Sequence, residues 1–106
     1  MFDCLEVAHE AVQHIGPIVR TLARLDPNLA DQLKRAATSV VSNIDEGVGL
    51  AGARRVQHYR YAAGSAHEVT SQLRLALAWG YVDADAIAAP LALLARVRAM
   101  LWRLTH

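Results

Sequence analysis

One cysteine, one phenylalanine and three prolines are all that this 106-residue chain holds of those types, and aromatic side chains make up 6% of it. The lone Cys4 has no intrachain partner, so a disulfide-stapled scaffold is excluded and a reduced thiol in the cytoplasm is expected. With aromatics scarce, the 54% of apolar residues is mostly alanine, leucine and valine, a composition suited to closely packed helices. Alternating β-branched runs are absent, so no strand is expected. No stretch reaches the roughly 18 uninterrupted apolar residues of a spanning helix, and no membrane partner is expected. The opening MFDCLEVAHE carries acids and no basic stretch ahead of an apolar run, unlike a secretory leader. Charge of one sign is missing too: 11 basic residues stand against 10 acidic ones. Net charge alone therefore gives no argument for nucleic acid, and leaves open arginines gathered on one face.

What is present is helical periodicity, in a chain whose length fits one domain. Leu5, Ala8, Val12, Ile15, Val19 and Leu22 step by threes and fours, predicting a first helix over Asp3 to Arg24. Gly16-Pro17 interrupts that stretch without breaking its register, so one bent helix is expected. Asp26 and Pro27 read as N-cap and first residue of a second helix running to about Val48, ended by Gly47 and Gly49. After the linker Gly49-Leu50-Ala51-Gly52, a third helix from Ala53 to Trp79 follows Val56, Tyr59, Ala63, Ala66, Thr70, Leu73 and Leu77, closed by Gly80. Asp83 caps a fourth, which runs to Leu104 through Ile87, Leu91, Leu94, Val97 and Leu101, with Pro90 bending its second turn. Four amphipathic helices on short connections predict an all-α, antiparallel up-down four-helix bundle in one domain.

Apolar residues also fall outside these seams: Ile18, Leu25, Ala62, Val69, Ala76, Leu93 and Met100, with Trp79 and Trp102 hard to place in a small core. A bundle needs about three core positions in seven, so the surplus suggests a second buried surface, most simply between identical copies, against the plainer reading of a wide stripe over a well-covered core.

Two polar sets recur at helical steps. Arg35, Ser39, Asn43 and Glu46 share the second helix with the stripe that opens at Gln32; Ser65, Glu68 and Gln72 share a face of the third. If the two faces meet, Arg35 pairs with Glu68, and Asn43 bonds Ser65 or Gln72. The readings are a network that fixes register, a ligand site, or a solvated face; the network satisfies the most buried polar groups. No catalytic set stands out. Asp45 and Glu46 are neighbours and diverge on a helix, Ser65 lies mid-helix without a nucleophile elbow, and Gly47, Gly49 and Gly52 lack the lysine of a phosphate loop. His9 with His14, and His58 with His67, diverge as well, so neither an enzyme nor a metal or other cofactor is expected. The remaining candidates are basic: Arg54, Arg55 and Arg60 near Tyr59 and Tyr61, and Arg96, Arg98 and Arg103 after the last acid, Asp85. Both are candidate phosphate contacts, against the plainer reading of solvated arginines.

The second helix, QLKRAATSVVSNIDEG, followed by AAGSAHEVTSQLRLALAWGY, resembles a four-helix-bundle family, the 23S-rRNA-intervening-sequence proteins. The likeness rests on Gln32, Leu33, Arg35, Ala36, Ser39, Asn43, Ile44, Glu46 and Gly47, then Ala62, Gly64, Ser65, Glu68, Gln72 and Leu73, with Gly80-Tyr81 after them. Val41 stands where that family usually has proline, and Asp45 replaces an alanine, adding negative charge beside Glu46. The resemblance implies small bacterial proteins that form a homopentameric barrel around a channel. It also implies a distant kinship with the accessory protein of diversity-generating retroelements, which looks like a basic pentamer binding nucleic acid and a reverse transcriptase. The function expected is a non-enzymatic oligomeric binding protein that contacts RNA or DNA through arginine patches repeated around a ring. The alternative is a protein-interaction scaffold with no direct nucleic-acid role.

Overall fold

The computed structural model describes residues 3–106, and every regular element among them is a helix. α1 spans Asp3–Leu25, α2 Pro27–Val48, α3 Gly52–Ala78 and α4 Ala84–Thr105. Each helix packs on its neighbour in the chain, and α1 also packs on α4, which closes the set into a bundle. The bundle measures 42 × 22 × 20 Å. Its long dimension matches the 27 residues of α3 at about 1.5 Å per residue. Helices this long, on connections this short, lie side by side in up-down order.

Local chemistry explains where the helices begin and end. Asp26 Oδ1 accepts from the Leu29 amide at 3.1 Å, and Pro27 occupies the first turn, where its missing N–H costs nothing. Asp83 caps α4 in the same way, accepting from the Ala86 amide at 2.9 Å. α3 closes on Gly80, whose φ of +79° puts it in the left-handed region. The Gly80 amide bonds the Leu77 carbonyl and the Tyr81 amide reaches back to Ala76, the paired bonds of a Schellman ending. That turn aims Tyr81 at the α1–α2 corner, where its hydroxyl donates to Asp26 Oδ2 at 3.1 Å. One carboxylate thus caps α2 and ties down the α3–α4 connection.

One glycine plays a different part from the one the sequence suggests. Gly47 does not end α2; it lies inside the helix, buried against the ring of Tyr59, and Gly49 alone is the cap. Pro17 stays within one continuous α1, as expected from the unbroken register.

The core itself is turned relative to the expected seams. In α1 it runs through Cys4, Ala8, Ala11, Ile15, Ile18 and Leu22; in α3 through Tyr59, Ala62, Ala66, Val69, Leu73 and Ala76. Both lines step by threes and fours, as the expected ones do, and share every second member with them. They differ by one residue at the others: Ala11 replaces Val12, Ile18 replaces Val19, Val69 replaces Thr70, and Ala76 replaces Leu77. Small side chains on the buried line let the helix axes approach closely, leaving Val12 and Leu77 at the flanks. Consequently Ile18, Ala62, Val69, Ala76 and Leu93 belong to the protomer's own core and say nothing about a second interface. Leu91 is half-buried and Leu104 exposed in α4, whose buried line includes Pro90 and Leu93. The exposed apolar surface is carried instead by Leu25, Leu75, Leu77, Trp79, Trp102 and Leu104, among others.

Burial of three weak acids gives the fold an alkaline limit. Cys4, buried beside the Val97 carbonyl, has its thiol pushed up to about 11 by desolvation. The Tyr59 phenol is raised chiefly by burial, with Arg55 opposing, and Tyr81 is raised by desolvation and then by its bond to Asp26. In each case the fold favours the protonated form, so the unfolded chain releases the proton first and stability falls as pH rises. For Cys4 the loss begins near the ordinary thiol value of 9.0 and is complete above about 11. Urea midpoints should therefore be level below pH 9 and drop between 9 and 11, with a shallower drop in Cys4→Ala; equal slopes in both proteins would refute the assignment to Cys4.

Candidate functional site

The polar faces of α2 and α3 do meet, through fewer residues than the spacing suggested. Ser39 and Ser65 share a hydrogen bond of 2.9 Å between their hydroxyls. Asn43 Nδ2 donates to the Ser39 carbonyl at 2.9 Å and lies 3.1 Å from its hydroxyl. A carbonyl can only accept, so the amide orientation is fixed and Asn43 Oδ1 faces His58 Nδ1, 3.0 Å away. That nitrogen therefore carries the proton, and the network runs Ser65–Ser39–Asn43–His58. His58 escaped the sequence reading because nothing in the spacing of one helix shows which α3 residue Asn43 meets.

The other members lie elsewhere. Arg35 pairs not with Glu68 but with Asp31, one turn back on its own helix, at 3.0 Å and with side chains 80% and 59% exposed. An exposed pair of this kind contributes about 0.5 kcal/mol or less. Glu68 is exposed and accepts from Gln72 Nε2 at 3.4 Å, while the Gln72 Oε1 atom is buried without a partner. Glu46 is exposed. The half-buried α2–α3 seam is thus a short chain of small polar groups whose geometry fixes helix register.

The six arginines that are candidate phosphate contacts separate into different surroundings. Arg55 donates to the Gly47 carbonyl at 3.1 Å and the Val48 carbonyl at 3.4 Å, so it caps the C-terminal end of α2, a favourable place for a cation. Arg54 is exposed in the first turn of α3, and Tyr59, near these arginines in sequence, is inside the core, as its place on the expected seam implies. Arg96 is exposed, and Arg103 lies toward α1, sharing a depression with Asp3 and Met100. Arg60 and Arg98 come together. They line one groove between α3 and α4, about 560 Å³ in volume, floored by Ala63, Gly64, Ala95 and Ala99. Trp102, Thr105 and His106 complete its wall, and no aspartate or glutamate side chain belongs to it. Trp102 is stacked on His106 with ring centroids 4.5 Å apart. Arg98 and Trp102 are one helical turn apart, a pairing legible in the sequence; that Arg60 faces them depends on how α3 packs against α4.

Among the described residues no group of three or more histidine, cysteine, aspartate or glutamate side chains is placed to hold a metal ion. No helix among them is long and apolar enough to cross a membrane.

These features define a small all-helical protein of the four-helix-bundle class, with a cationic, aromatic-walled groove along one pair of helices. The chain belongs to the 23S rRNA-intervening sequence protein family, whose profile matches residues 2–103. No curated protein matches it. Among solved structures it is similar to a protein of unknown function from the S23 ribosomal protein family of Bacteroides thetaiotaomicron VPI-5482, with a TM-score of 0.87. The two share 18% sequence identity over 96% of this chain and 97% of the other, so the likeness establishes the fold.

Proposed function

We propose that this protein is a non-enzymatic binding protein that assembles into a homopentameric ring and contacts RNA or DNA through an arginine groove repeated in every copy. The observation that supports this reading is the α3–α4 groove, where Arg60 and Arg98 from two different helices line one surface with no aspartate or glutamate side chain. In a chain with net charge +1, that segregation makes a local phosphate site without a basic composition. The ring rests on the family resemblance and on the exposed Leu25, Leu75 and Trp79. Repetition multiplies a weak two-arginine contact into an avid one.

Light scattering should give a mass near five times the 11.6 kDa of the chain; a mass near one chain refutes the ring. Binding to RNA or DNA should weaken steeply with salt, and Arg60→Glu with Arg98→Glu should abolish it near physiological ionic strength. Arg55→Glu should instead lower stability, because it removes the cap on α2. Unchanged binding in the double variant refutes the groove as the contact. A second reading, a scaffold that docks a partner protein, is favoured by Leu75 and Trp79, exposed one turn apart on α3. It predicts a co-purifying protein whose capture survives nuclease treatment and the Arg60/Arg98 changes.

A further inference from the structure

We infer that the α3–α4 groove receives unpaired nucleobases, so that the strand it takes is single-stranded; this rests on the nucleic-acid reading above and adds the form of the ligand. The indole of Trp102 lines the groove and remains 61% exposed, although His106 stacks on it at an interplanar angle of 13°. The imidazole is held in that stack by contacts of Nδ1 with the Trp102 carbonyl at 2.9 Å and the Thr105 hydroxyl at 3.1 Å. The pair is therefore a fixed flat surface, not a loose side chain.

Its surroundings suit a planar guest. The floor is glycine and alanine, so nothing longer than a methyl group rises from it, and added atoms at Gly64 would meet nothing within 4 Å. Arg98 stands one turn before Trp102 on α4, and Arg60 stands one turn before Gly64 on α3. Cations beside an open aromatic face are what a strand with phosphates and free base faces requires. In a duplex each internal base has both faces covered by its neighbours, so no base face is offered for stacking. The arginines alone serve either form; Trp102 serves only the single strand. Neither a stacking face nor a guanidinium distinguishes ribose from deoxyribose, so RNA and DNA strands are both admitted.

The test uses the full chain with Trp79→Phe, which leaves Trp102 as the sole tryptophan reporter. It is titrated with adenine-rich RNA and DNA strands of about 12 nucleotides, within the usual span of such sites, and with the blunt duplexes of the same sequences. The single strands should quench Trp102 and, by the anisotropy of end-labelled strands, bind on the order of tenfold tighter than the duplexes, an advantage that Trp102→Ala in the parent chain, read by the same anisotropy, should remove. Equal affinity for both forms, unaffected by Trp102→Ala, overturns the inference and leaves the arginine reading standing. No binding of either form overturns both. Adenosine monophosphate binding as tightly as the strands would make the groove a mononucleotide pocket and overturn the assignment of a strand. A fall in assembly mass in Trp102→Ala places the indole between copies, which also overturns it.

Discussion

Val69→Asp is expected to leave the protein unfolded, while Leu77→Asp, two turns further along the same helix, is expected to fold normally. Val69 is 0% exposed, packed in the bundle interior, whereas Leu77 is 37% exposed. A carboxylate at position 69 has to be desolvated with no cation or donor in place to compensate. That penalty is of the same order as the whole stability of a domain this size, about 5–15 kcal/mol. At position 77 the carboxylate stays in water. Its costs are some lost apolar contact and an unfavourable charge near the C-terminal end of α3, together about 1 kcal/mol. Far-ultraviolet circular dichroism and a urea titration of both variants decide the matter. The expectation fails if Leu77→Asp is the more damaging change, the result the expected seam would have required.

The second large effect concerns Gly47. Replacing a glycine inside a helix by alanine ordinarily stabilises it by up to about 1 kcal/mol. Gly64, with nothing within 4 Å of an added Cβ, should behave in this way. Gly47 should do the opposite. A Cβ there falls 2.7 Å from Tyr59 Cδ1 and 3.3 Å from Cζ, and closer still to Cε1. The Tyr59 ring is buried, so it cannot swing into solvent to make room. Overpacking of this kind costs about 1–3 kcal/mol, and Gly47→Ala should therefore melt below the parent while Gly64→Ala melts above it. Trimming the ring in a Tyr59→Leu background should remove most of the Gly47→Ala penalty, since the two residues are in direct contact. Equal melting temperatures for the two alanine variants would refute the close approach.

Gly47 also shows how a residue is legible in type and not in role. Sequence spacing near Gly49 suggested a helix stop, because glycine is common just past a helix end. The actual reason for glycine is a tyrosine from the next helix, twelve residues away along the chain and in contact only after α3 has folded back. The arginines divide in the same manner. Arg98 and Trp102 share a helix side by spacing alone. Arg55, one of the candidate phosphate contacts, is instead occupied by the carbonyl groups that end α2. The expected Arg35–Glu68 pair did not form because Asp31 lies one turn away on Arg35's own helix, where no loop has to close to bring them together. Asn43 met Ser39 and His58 rather than Ser65 or Gln72, although the seam joining α2 to α3 is where the spacing put it.

By itself the sequence determined the four helices, their caps at Asp26 and Asp83 and the stop at Gly80, because each depends on residues within a turn or two of one another, and it determined the family through two motifs in fixed order. It left the rotation of α1 and α3 open by one residue, since an apolar stripe broader than a seam contains two lines with the same spacing. Only the tertiary structure chose between them. It took the line richer in alanine in α1 and α3, and so set which of their side chains remained outside. The groove follows from how α3 packs on α4: Arg60 and Arg98 share a surface because the small Gly64, Ala95 and Ala99 lie exposed between them.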